Sequence, residues 1–260
     1  MKLNNKTILI TGASSGIGRA TALALSKNKN RIIITARREE LLKNLADEIK
    51  TNSSECLYFA SDATNEESCA NIVSEIVKKY GQVDIAILNI GNGPPSNTLT
   101  ATAATIKNCM KTNYETMINF YCPLIAQMKQ QKTKCMIAHV NSLATFFGIP
   151  MQGDYTAAKG AARLFLDTAR MELKKFNYNH IKIQTIHPGF VDTETCREDG
   201  IPVPNEISED KAADYILRGL KKEMRENLFP PSMTLGVKLG KHLPSWLLTK
   251  ALLRETPDQY

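Results

Sequence analysis

Apolar and polar positions come in alternating blocks along the chain, and the blocks predict strands and helices in turn. Short runs rich in Ile, Leu and Val are followed by longer segments in which apolar residues recur every three or four positions. The predicted strands are KTILIT, RIIITA, CLYFA, DIAILN, KCMIAHVNS and IKIQTIH. The predicted helices are the segment after TGASSGIG, REELLKNLADEIK, NEESCANIVSEIVKKY, a long helix that ends near Gln131, and one from about Asp154 to Phe176.

This alternation predicts an α/β fold built from βαβ units. Such units close with right-handed crossovers into a doubly wound parallel sheet that is flanked by helices on both faces. A chain of 260 residues with 43% hydrophobic residues can bury one large core, so we expect a single domain over residues 1–260. Ligands of such sheets bind beyond the carboxyl ends of the strands, near the point where the strand order reverses.

Charge and composition narrow the classes of partner. The net charge is +7, but Lys and Arg are spread along the chain without an aromatic-interleaved basic motif, so we expect no nucleic-acid partner. We expect neither a secretory leader nor a membrane span, because no apolar stretch is long enough. The six cysteines form no CxxC pair, which favours reduced thiols in the cytoplasm. The four histidines lack metal-ligand spacing, and hydrogen-bonded structural roles are expected for His139 and His187.

Three glycines lie in the turn TGASSGIG, between the first predicted strand and its helix. Glycine loses the most backbone entropy on folding, so Gly12, Gly16 and Gly18 indicate unusual dihedral angles or a close approach to the backbone. A helix N-terminus offers unpaired N–H groups and a partial positive charge, which suit a phosphate. A glycine-rich turn without a ligand is the alternative. The position at the carboxyl edge of the sheet favours a Rossmann-type dinucleotide site.

The end of the second predicted strand bears on the choice between NAD and NADP. RIIITA runs into Arg37 and Arg38, and the first acidic residue after it is Glu39. A carboxylate there usually holds the ribose 2′-hydroxyl of NAD, whereas a guanidinium can pair with the 2′-phosphate of NADP. The pattern therefore favours NADP(H) over NAD(H). The alternative is a solvated start to a helix, although basic residues at that point oppose the helix dipole.

Candidate catalytic side chains lie farther along the chain. Tyr155 and Lys159 are four positions apart in a predicted helix and therefore share one of its faces. A neighbouring ammonium lowers the pKa of a tyrosine from about 10, which brings its hydroxyl into range for general acid–base catalysis. Ser142 ends the strand KCMIAHVNS at the same sheet edge, where its hydroxyl can bind a substrate oxygen. The Tyr-x-x-x-Lys spacing alone is a weak signal, and its combination with the glycine turn is far more specific.

Together these motifs resemble the short-chain dehydrogenase/reductase family, from about Lys6 to Thr193. TGASSGIG resembles the family's cofactor loop, SDAT its adenine-binding segment, KTNYETM its active-site asparagine segment, and HPGFVDT its PG-x-V-x-T segment. LNIG stands where the family has NNAG, with Leu88 in place of a polar residue and Ile90 in place of a small alanine. We expect Ile90 to crowd the backbone near the cofactor.

The resemblance implies a reaction in which hydride moves between C4 of the nicotinamide and a substrate carbon. It implies that Tyr155 exchanges the proton of the substrate oxygen, that Lys159 lowers the pKa of this tyrosine and binds the ribose, and that Ser142 positions the oxygen. Asn113 would help to hold water in a proton relay, and Thr193 would lie near the carboxamide. The implied cofactor-binding residues are Gly12, Ser14, Ser15, Gly16, Ile17, Gly18, Arg37, Arg38, Asp62, Ala63, Asn89, Ile90, Gly91, Tyr155, Lys159, Pro188, Gly189, Val191 and Thr193.

Several residues have plainer interpretations. Asn113 can be a polar residue that is satisfied inside a helix, and Asp62 can cap the helix that follows it. The apolar residues between Ser142 and Tyr155 can line a substrate pocket or belong to the core. They are Phe146, Phe147, Ile149, Pro150 and Met151.

The sequence thus predicts an NADPH-dependent reductase or dehydrogenase that interconverts a carbonyl group and a secondary alcohol of an apolar small molecule. One alternative is an NAD-dependent alcohol dehydrogenase of the same family, and another is a protein that binds NADPH without turnover, as a sensor or scaffold. Residues 190–210, with Pro202 and Pro204, are expected to cover the substrate. We also expect a homodimer or homotetramer.

Residues 230–260 form a C-terminal extension beyond the matched region. Pro244 begins a predicted helix, and Trp246 and Leu253 lie on one side of it. That side is expected to contact a twin subunit, a lipophilic substrate or a membrane surface, with packing inside the monomer as the alternative. The side expected to dock on the domain carries Leu247, Leu248, Ala251 and Leu252. The cations that would help a lipid contact are Lys238, Lys241, Lys250 and Arg254.

Overall fold

The computed structural model describes residues 1–52, 54–194, 196 and 206–254. The strands are β1 (Thr7–Thr11), β2 (Arg31–Ala36), β3 (Glu55–Ala60), β4 (Ile85–Leu88), β5 (Cys135–Val140), β6 (Ile181–Pro188), β7 (Val191–Asp192), β8 (Ile207–Ser208) and β9 (Glu226–Phe229). Within the described residues, seven of them form one parallel sheet in the order β3-β2-β1-β4-β5-β6-β9. The short strands β7 and β8 pair with each other.

Helices flank this sheet. They are α1 (Gly16–Ser26), α2 (Glu39–Thr51), α3 (Glu66–Tyr80), α4 (Ala103–Met110), α5 (Thr116–Gln130), α6 (Gly153–Lys175), α7 (Glu209–Lys222), α8 (Pro231–Gly240) and α9 (Ser245–Arg254). A π-helical turn over Lys111–Glu115 joins α4 to α5, and a 3₁₀ turn over Leu143–Phe146 follows β5. No helix in the described ranges is long and apolar enough to cross a bilayer.

Both faces of the sheet are buried, which explains why its central strands are apolar at every position. In β1, Ile8 and Ile10 point into the core beneath α1, α2 and α7, whereas Leu9 points into the core beneath α3, α5 and α6. Strand side chains alternate between faces, so a strand covered on both sides reads as a continuous apolar run. The predicted doubly wound parallel sheet with helices on both faces is confirmed.

The strand order reverses between β1 and β4, which are neighbours in the sheet. From β1 the chain winds outward through β2 and β3, and from β4 it winds the other way through β5 and β6. The loops at the carboxyl ends of β1 and β4 therefore diverge, and a crevice opens between them. The glycine turn borders this crevice on one side, and the segment after Leu88 borders it on the other.

Two predicted helices differ from the structure. The long helix expected before Gln131 starts only at Ala103 and is interrupted by the π-helical turn. In the tail, α9 begins directly after Pro244 as predicted, but Ala251 is exposed and does not belong to the docked side. Burying one Ala methyl group contributes little free energy, so the apolar spacing is a poor predictor of whether Ala251 is buried.

Candidate active site

The turn after β1 uses its glycines for two separate reasons. Gly12 and Gly16 have φ values of +63° and +61°, a left-handed backbone that other residues rarely adopt. A Cβ on Gly18 would collide with the carbonyl oxygen of Gly12 and lie 2.7 Å from Nδ2 of Asn89. Ile90 adds to this crowding, since its Cγ1 lies 3.2 Å from the position that a Cβ on Gly12 would take. The first turn of α1 therefore packs closely on the ends of β1 and β4.

The N-terminus of α1 has the properties of an anion site. The sequence contains no Asp or Glu between Thr11 and Arg38, and Ser15 makes no side-chain cap within the described residues. The first N–H groups of the helix are therefore not used by a capping side chain. Asn89 forms the opposite wall, where its Nδ2 donates to the carbonyl oxygen of Gly12 at 3.1 Å and its N–H donates to Thr11 Oγ1 at 3.0 Å.

Arg38 lies across the glycine turn. Its guanidinium donates to the hydroxyl oxygens of Ser14, at 3.2 Å, and of Ser15. It also pairs with Glu194, with 2.9 Å between Nη1 and Oε2. Ile17, by contrast, packs against the core beneath α1. The serines of the turn are thus linked to the second strand and to the segment after β7.

Arg37 and Asp62 lie at the outer end of the crevice. The N–H of Thr64 donates to Asp62 Oδ1 at 2.9 Å, and this bond is the main reason why the pKa of Asp62 lies below its usual value, with a contribution from the charge of Arg37. Asn65 caps α3 with its own side chain, so the interpretation of Asp62 as the helix cap is wrong. Ala63 is buried next to this acid. Asp62 therefore keeps an exposed carboxylate at the sheet edge.

Asn113 is fully buried in the π-helical turn. Its Nδ2 donates to the carbonyl oxygens of Asn92, at 2.8 Å, and Cys109, at 3.1 Å, while the N–H of Asn92 donates back to Oδ1 at 3.1 Å. The side chain is thus satisfied within the protein, as its plainer interpretation predicts. Its partner is the loop after β4, so Asn113 fixes this loop against the helices.

The loop after β4 touches the candidate catalytic side chains directly. A Cβ on Gly91 would lie 2.6 Å from Nζ of Lys159 and 2.7 Å from Oδ1 of Asn113. A Cβ on Gly93 would lie 2.8 Å from the ring of Tyr155. Sequence reasoning missed Gly93, whose only signal is a small residue just before two prolines.

Ser142, Tyr155 and Lys159 come together at the carboxyl end of β5. Ser142 lies beside Tyr155, where its hydroxyl acts to lower the pKa of the phenol, and Nζ of Lys159 lies 5.7 Å from the centroid of the tyrosine ring. Lys159 is buried, and its Nζ donates to the carbonyl oxygen of Val140 at 3.3 Å. The i, i+4 spacing on α6 places both side chains on the face that meets this strand end.

Burial sets the acidity of these groups. It raises the pKa of Tyr155 to about 12, although the hydrogen bond from Ser142 opposes the rise. It also lowers the pKa of Lys159 to about 8. In this structure removal from water is the largest influence on the pKa of Tyr155, and the expected effect of Lys159 on that pKa stays a prediction.

Two polar side chains fix α6 to the end of β5. Nδ2 of Asn141 and Oγ1 of Thr145 each donate to the carbonyl oxygen of Lys159 at 3.0 Å. The N–H of Ser142 in turn donates to Asn141 Oδ1 at 2.9 Å. Ser142 and Lys159 are therefore held in register by their backbones, independently of their functional groups. Neither Asn141 nor Thr145 was predicted.

The two strand histidines differ from each other. Nδ1 of His187 lies 3.1 Å from the carbonyl oxygen of Ser142, which agrees with the hydrogen-bonded role expected for it. His139 is fully buried, and neither of its ring nitrogens has a hydrogen-bond partner among the described residues. The role expected for His139 is thus wrong. Burial and the charge of Lys159 hold the pKa of His139 well below its usual value, so its ring is neutral.

The segment after β6 borders the crevice at the glycine turn. Pro188 and Val191 are buried, and a Cβ on Gly189 would collide with Sδ of Met233. Cγ2 of Thr193 lies 3.5 Å from the position that a Cβ on Gly16 would take. The residue after β7 and the glycine turn therefore face each other, although they are far apart in the sequence.

The apolar segment between Ser142 and Tyr155 is half-buried rather than fully buried. The ring of Phe146 lies 4.9 Å from that of His187, and Nζ of Lys241 lies 3.6 Å from its centroid. Of the loop expected to cover the substrate, residues 195 and 197–205, including Pro202 and Pro204, lie outside the described residues.

Comparisons with known proteins agree with this architecture. Residues 6–200 match the model of a family described as short chain dehydrogenase. The chain is 34% identical over 194 residues to an uncharacterized oxidoreductase of Listeria monocytogenes, covering 75% of this chain and 77% of that protein. It is 30% identical over 233 residues to a 3-ketodihydrosphingosine reductase of Bacteroides thetaiotaomicron, covering 88% and 81%. A short chain dehydrogenase/reductase of Burkholderia phymatum, solved in complex with NAD, has the same fold, with a TM-score of 0.84 at 17% identity over 100% and 99% of the two chains.

Proposed function

Because the chain belongs to the short chain dehydrogenase family and is an NAD(P)-dependent oxidoreductase, we propose that it uses NADPH to reduce the carbonyl group of an apolar substrate to a secondary alcohol. The observation that carries this proposal is the contact between Tyr155 and Ser142 beside the buried Lys159. These groups can bind a substrate oxygen and deliver a proton to it. They lie at the carboxyl end of β5, next to the reversal between β1 and β4, where a dinucleotide held by the glycine turn is within reach.

The residues of the crevice fit a dinucleotide. The left-handed Gly12 and Gly16, the uncapped N-terminus of α1 and the absence of acids in the sequence from Thr11 to Arg38 all suit a pyrophosphate. When bound, NADPH supplies the hydride. We assign the pyrophosphate to the turn, the adenine to Asp62 and Ala63, and the nicotinamide end to the remaining residues. These are Asn89, Ile90, Gly91, Tyr155, Lys159, Pro188, Gly189, Val191 and Thr193.

The preference for NADPH rests on two arginines. Arg37 is exposed at the end of β2, and Arg38 already binds the hydroxyl groups of Ser14 and Ser15 with its guanidinium. A 2′-phosphate at this point meets two positive charges and two hydroxyl donors. The first acid after β2 is Glu39, and the carboxylate of Glu194 is paired with Arg38.

The protonated form of Tyr155 is the one that a reduction requires. With a pKa raised to about 12, the phenol stays protonated near neutral pH, so it can donate to the alkoxide that forms as the carbonyl carbon accepts hydride. Ser142 holds the oxygen by a hydrogen bond. Lys159, whose pKa is lowered to about 8, can return a proton to the tyrosine. Asn113 holds the loop that borders this route, and we assign it the support of a water relay.

The half-buried apolar segment supports an apolar substrate. Phe146 already packs on His187, Arg163 and Lys241, so we assign the cover of an aliphatic or aromatic ketone to the other half-buried apolar residues of the segment. They are Phe147, Ile149, Pro150 and Met151. The name of the Bacteroides thetaiotaomicron relative, a 3-ketodihydrosphingosine reductase, supports both the reductive direction and a ketone substrate.

A spectroscopic screen tests the function. Purified protein is incubated with NADPH or NADH and with panels of apolar ketones, steroids, acyl compounds and sugars, and the absorbance of the reduced cofactor is followed. We expect NADPH oxidation, fastest with apolar ketones. Faster oxidation of NADH would contradict the cofactor assignment. Tight NADPH binding without turnover in any panel would favour a sensor or scaffold.

We also propose a cytoplasmic homodimer or homotetramer. Leu164 and Met171 are seven positions apart on α6 and are 64% and 62% exposed, which supports self-association through that helix face. Light scattering of the wild type and of Leu164→Ser measures the mass. A monomer in both samples would contradict the assembly.

A further inference from the structure

The helical pair α8 and α9 carries large apolar side chains on its outer side. The exposed fractions are 59% for Leu235, 60% for Leu239, 38% for Leu243, 68% for Trp246 and 57% for Leu253. Leu235 and Leu239 are four positions apart on α8, and Trp246 and Leu253 are seven apart on α9, so each pair shares one side of its helix. These five residues are called the C-terminal apolar rim.

Helix α8 is docked on the domain by its other side, and α9 packs on α8, where Cδ1 of Leu248 lies 3.6 Å from the position that a Cβ on Gly240 would take. Gly240 of α8 is buried, and a Cβ there would lie 2.9 Å from Cζ of Phe147. Leu247, Leu248 and Leu252 of α9 are partly buried. The rim is therefore exposed on helices that have used their inward faces for packing, so a further partner is needed to cover it.

Basic residues accompany the rim along α8 and α9. The sequence from Asn227 to Arg254 contains no Asp or Glu, and its Lys and Arg side chains are exposed. A second copy related by a two-fold axis would place this surface against itself and bring like charges together. A layer of anionic headgroups supplies the opposite charge, and the acyl chains beneath it accept apolar side chains. The cations are Lys238, Lys241, Lys250 and Arg254.

We propose that α8 and α9 dock the protein on the surface of an anionic bilayer, with the C-terminal apolar rim at the boundary between headgroups and acyl chains. The pair touches Phe147, which lies in the segment just after Ser142. Docking therefore brings the candidate site close to the lipid. Only this last step rests on the proposed function, since it concerns the delivery of an apolar substrate.

Trp246 makes the contact directly measurable because it is the single tryptophan of the chain. The full-length protein is titrated with vesicles of phosphatidylcholine that contain phosphatidylglycerol, and with vesicles of phosphatidylcholine alone. On the anionic vesicles we expect a blue shift of the emission, quenching by brominated acyl chains, and co-sedimentation that weakens as salt is raised. We expect little change with the neutral vesicles.

Variants separate the rim from the rest of the surface. Leu239→Ser combined with Leu253→Ser keeps the tryptophan reporter, and we expect it to lower vesicle affinity by roughly tenfold or more. Lys238→Glu combined with Lys250→Glu should lower it at least as much on anionic vesicles. Phe176→Ser is the matched control, because Phe176 is 65% exposed and is preceded by Lys174 and Lys175 at the far end of α6. Unchanged NADPH binding verifies that each variant is folded.

Two results would overturn the proposal. One is vesicle binding that is absent in the wild type, or equal in the wild type and both double variants. The other is a drop in molecular mass of the Leu239→Ser, Leu253→Ser variant in light scattering without lipid, which would assign the rim to a second copy. Vesicle binding and molecular mass are both measured without turnover, so the proposed docking can be tested even if the reductase assignment fails.

Discussion

Nδ1 of His187 lies 3.1 Å from the backbone carbonyl oxygen of Ser142, so a buried imidazole on β6 holds the end of β5 in place. A carbonyl oxygen only accepts, so Nδ1 carries a proton. Nε2 of the same ring lies 3.6 Å from Oε1 of Glu226, and Nε of Arg163 donates to that oxygen at 3.2 Å. The contact with His187 is the main reason why the pKa of Glu226 falls to about 2.

Replacing this imidazole should affect both stability and turnover. His187→Leu leaves the Ser142 carbonyl without its donor, and we expect a loss of about 1–3 kcal/mol in the free energy of unfolding measured with urea. Because Ser142 loses its fixed position, kcat should fall while the Kd for NADPH stays the same. His180→Leu is the matched control, since Nε2 of His180 also contacts a carbonyl oxygen, that of Met128, at 3.0 Å but at the opposite end of β6. Equal kcat in the two variants would argue against a positioning role for His187.

Removing the hydroxyl of Tyr155 should abolish most turnover. In Tyr155→Phe the ring keeps its packing against Gly93, so NADPH affinity is retained, but the proton donor is lost and we expect kcat to fall by about 10²–10⁴. Stopped-flow oxidation and a fluorescence titration of NADPH measure the two quantities. Tyr58→Phe on β3 is the matched control. Wild-type kcat in Tyr155→Phe would remove this residue from the catalytic set.

Reversing the charge of Arg37 should change the choice of cofactor. Arg37→Asp replaces a partner of the 2′-phosphate with a repelling carboxylate, so the Kd for NADPH should rise at least about tenfold while that for NADH changes little. Parallel titrations with the two cofactors give both constants. Arg31→Asp, at the opposite end of β2, controls for the altered net charge. An equal loss of affinity for both cofactors would show that Arg37 does not read the 2′-phosphate.

Lys159 should lower stability in a defined pH range. Its pKa is near 10.5 in the unfolded chain and about 8 in the folded protein, so the unfolded state binds more protons between these values and stability rises with pH there. Below pH 8 the buried charge costs up to about 3 kcal/mol. In Lys159→Met this cost disappears, so the difference in urea unfolding free energy between variant and wild type should shrink from pH 8 to pH 10.5. A difference that is constant over this range would contradict the lowered pKa.

The sheet was predictable because its strands carry their own signal. Ile8 and Ile10 face one side of the sheet and Leu9 faces the other, and all three are apolar. Each such apolar run is flanked by turn residues or by an amphipathic helix. The interruption near Asn113 was not predictable, since a π turn depends on the loop that Asn113 bonds. β9 is only four residues long, and Gly236 weakens the helical pattern of α8. Helix α7 was missed although Ala212, Ile216 and Leu220 have clear helical spacing.

The candidate site was predictable in its residues but not in its energetics. Tyr155, Lys159 and Ser142 come from recognisable motifs, and the structure brings them together. The pKa of the half-buried Tyr155 depends on how far distant elements shield it from water, which no local spacing encodes. The contact of His187 with Ser142 depends on the pairing of β5 with β6, so the motifs could not predict it.

The ion pair between Arg38 and Glu194 would compete with the proposed 2′-phosphate for the guanidinium. An incoming 2′-phosphate that uses this guanidinium must displace the carboxylate of Glu194, which is itself about half exposed. Exposed pairs of this kind are worth about 0–1 kcal/mol, so the displacement lowers affinity by no more than about fivefold. The same contacts hold the guanidinium of Arg38 over Ser14 and Ser15 before the cofactor binds. When the cofactor leaves, the carboxylate of Glu194 can pair with the guanidinium again.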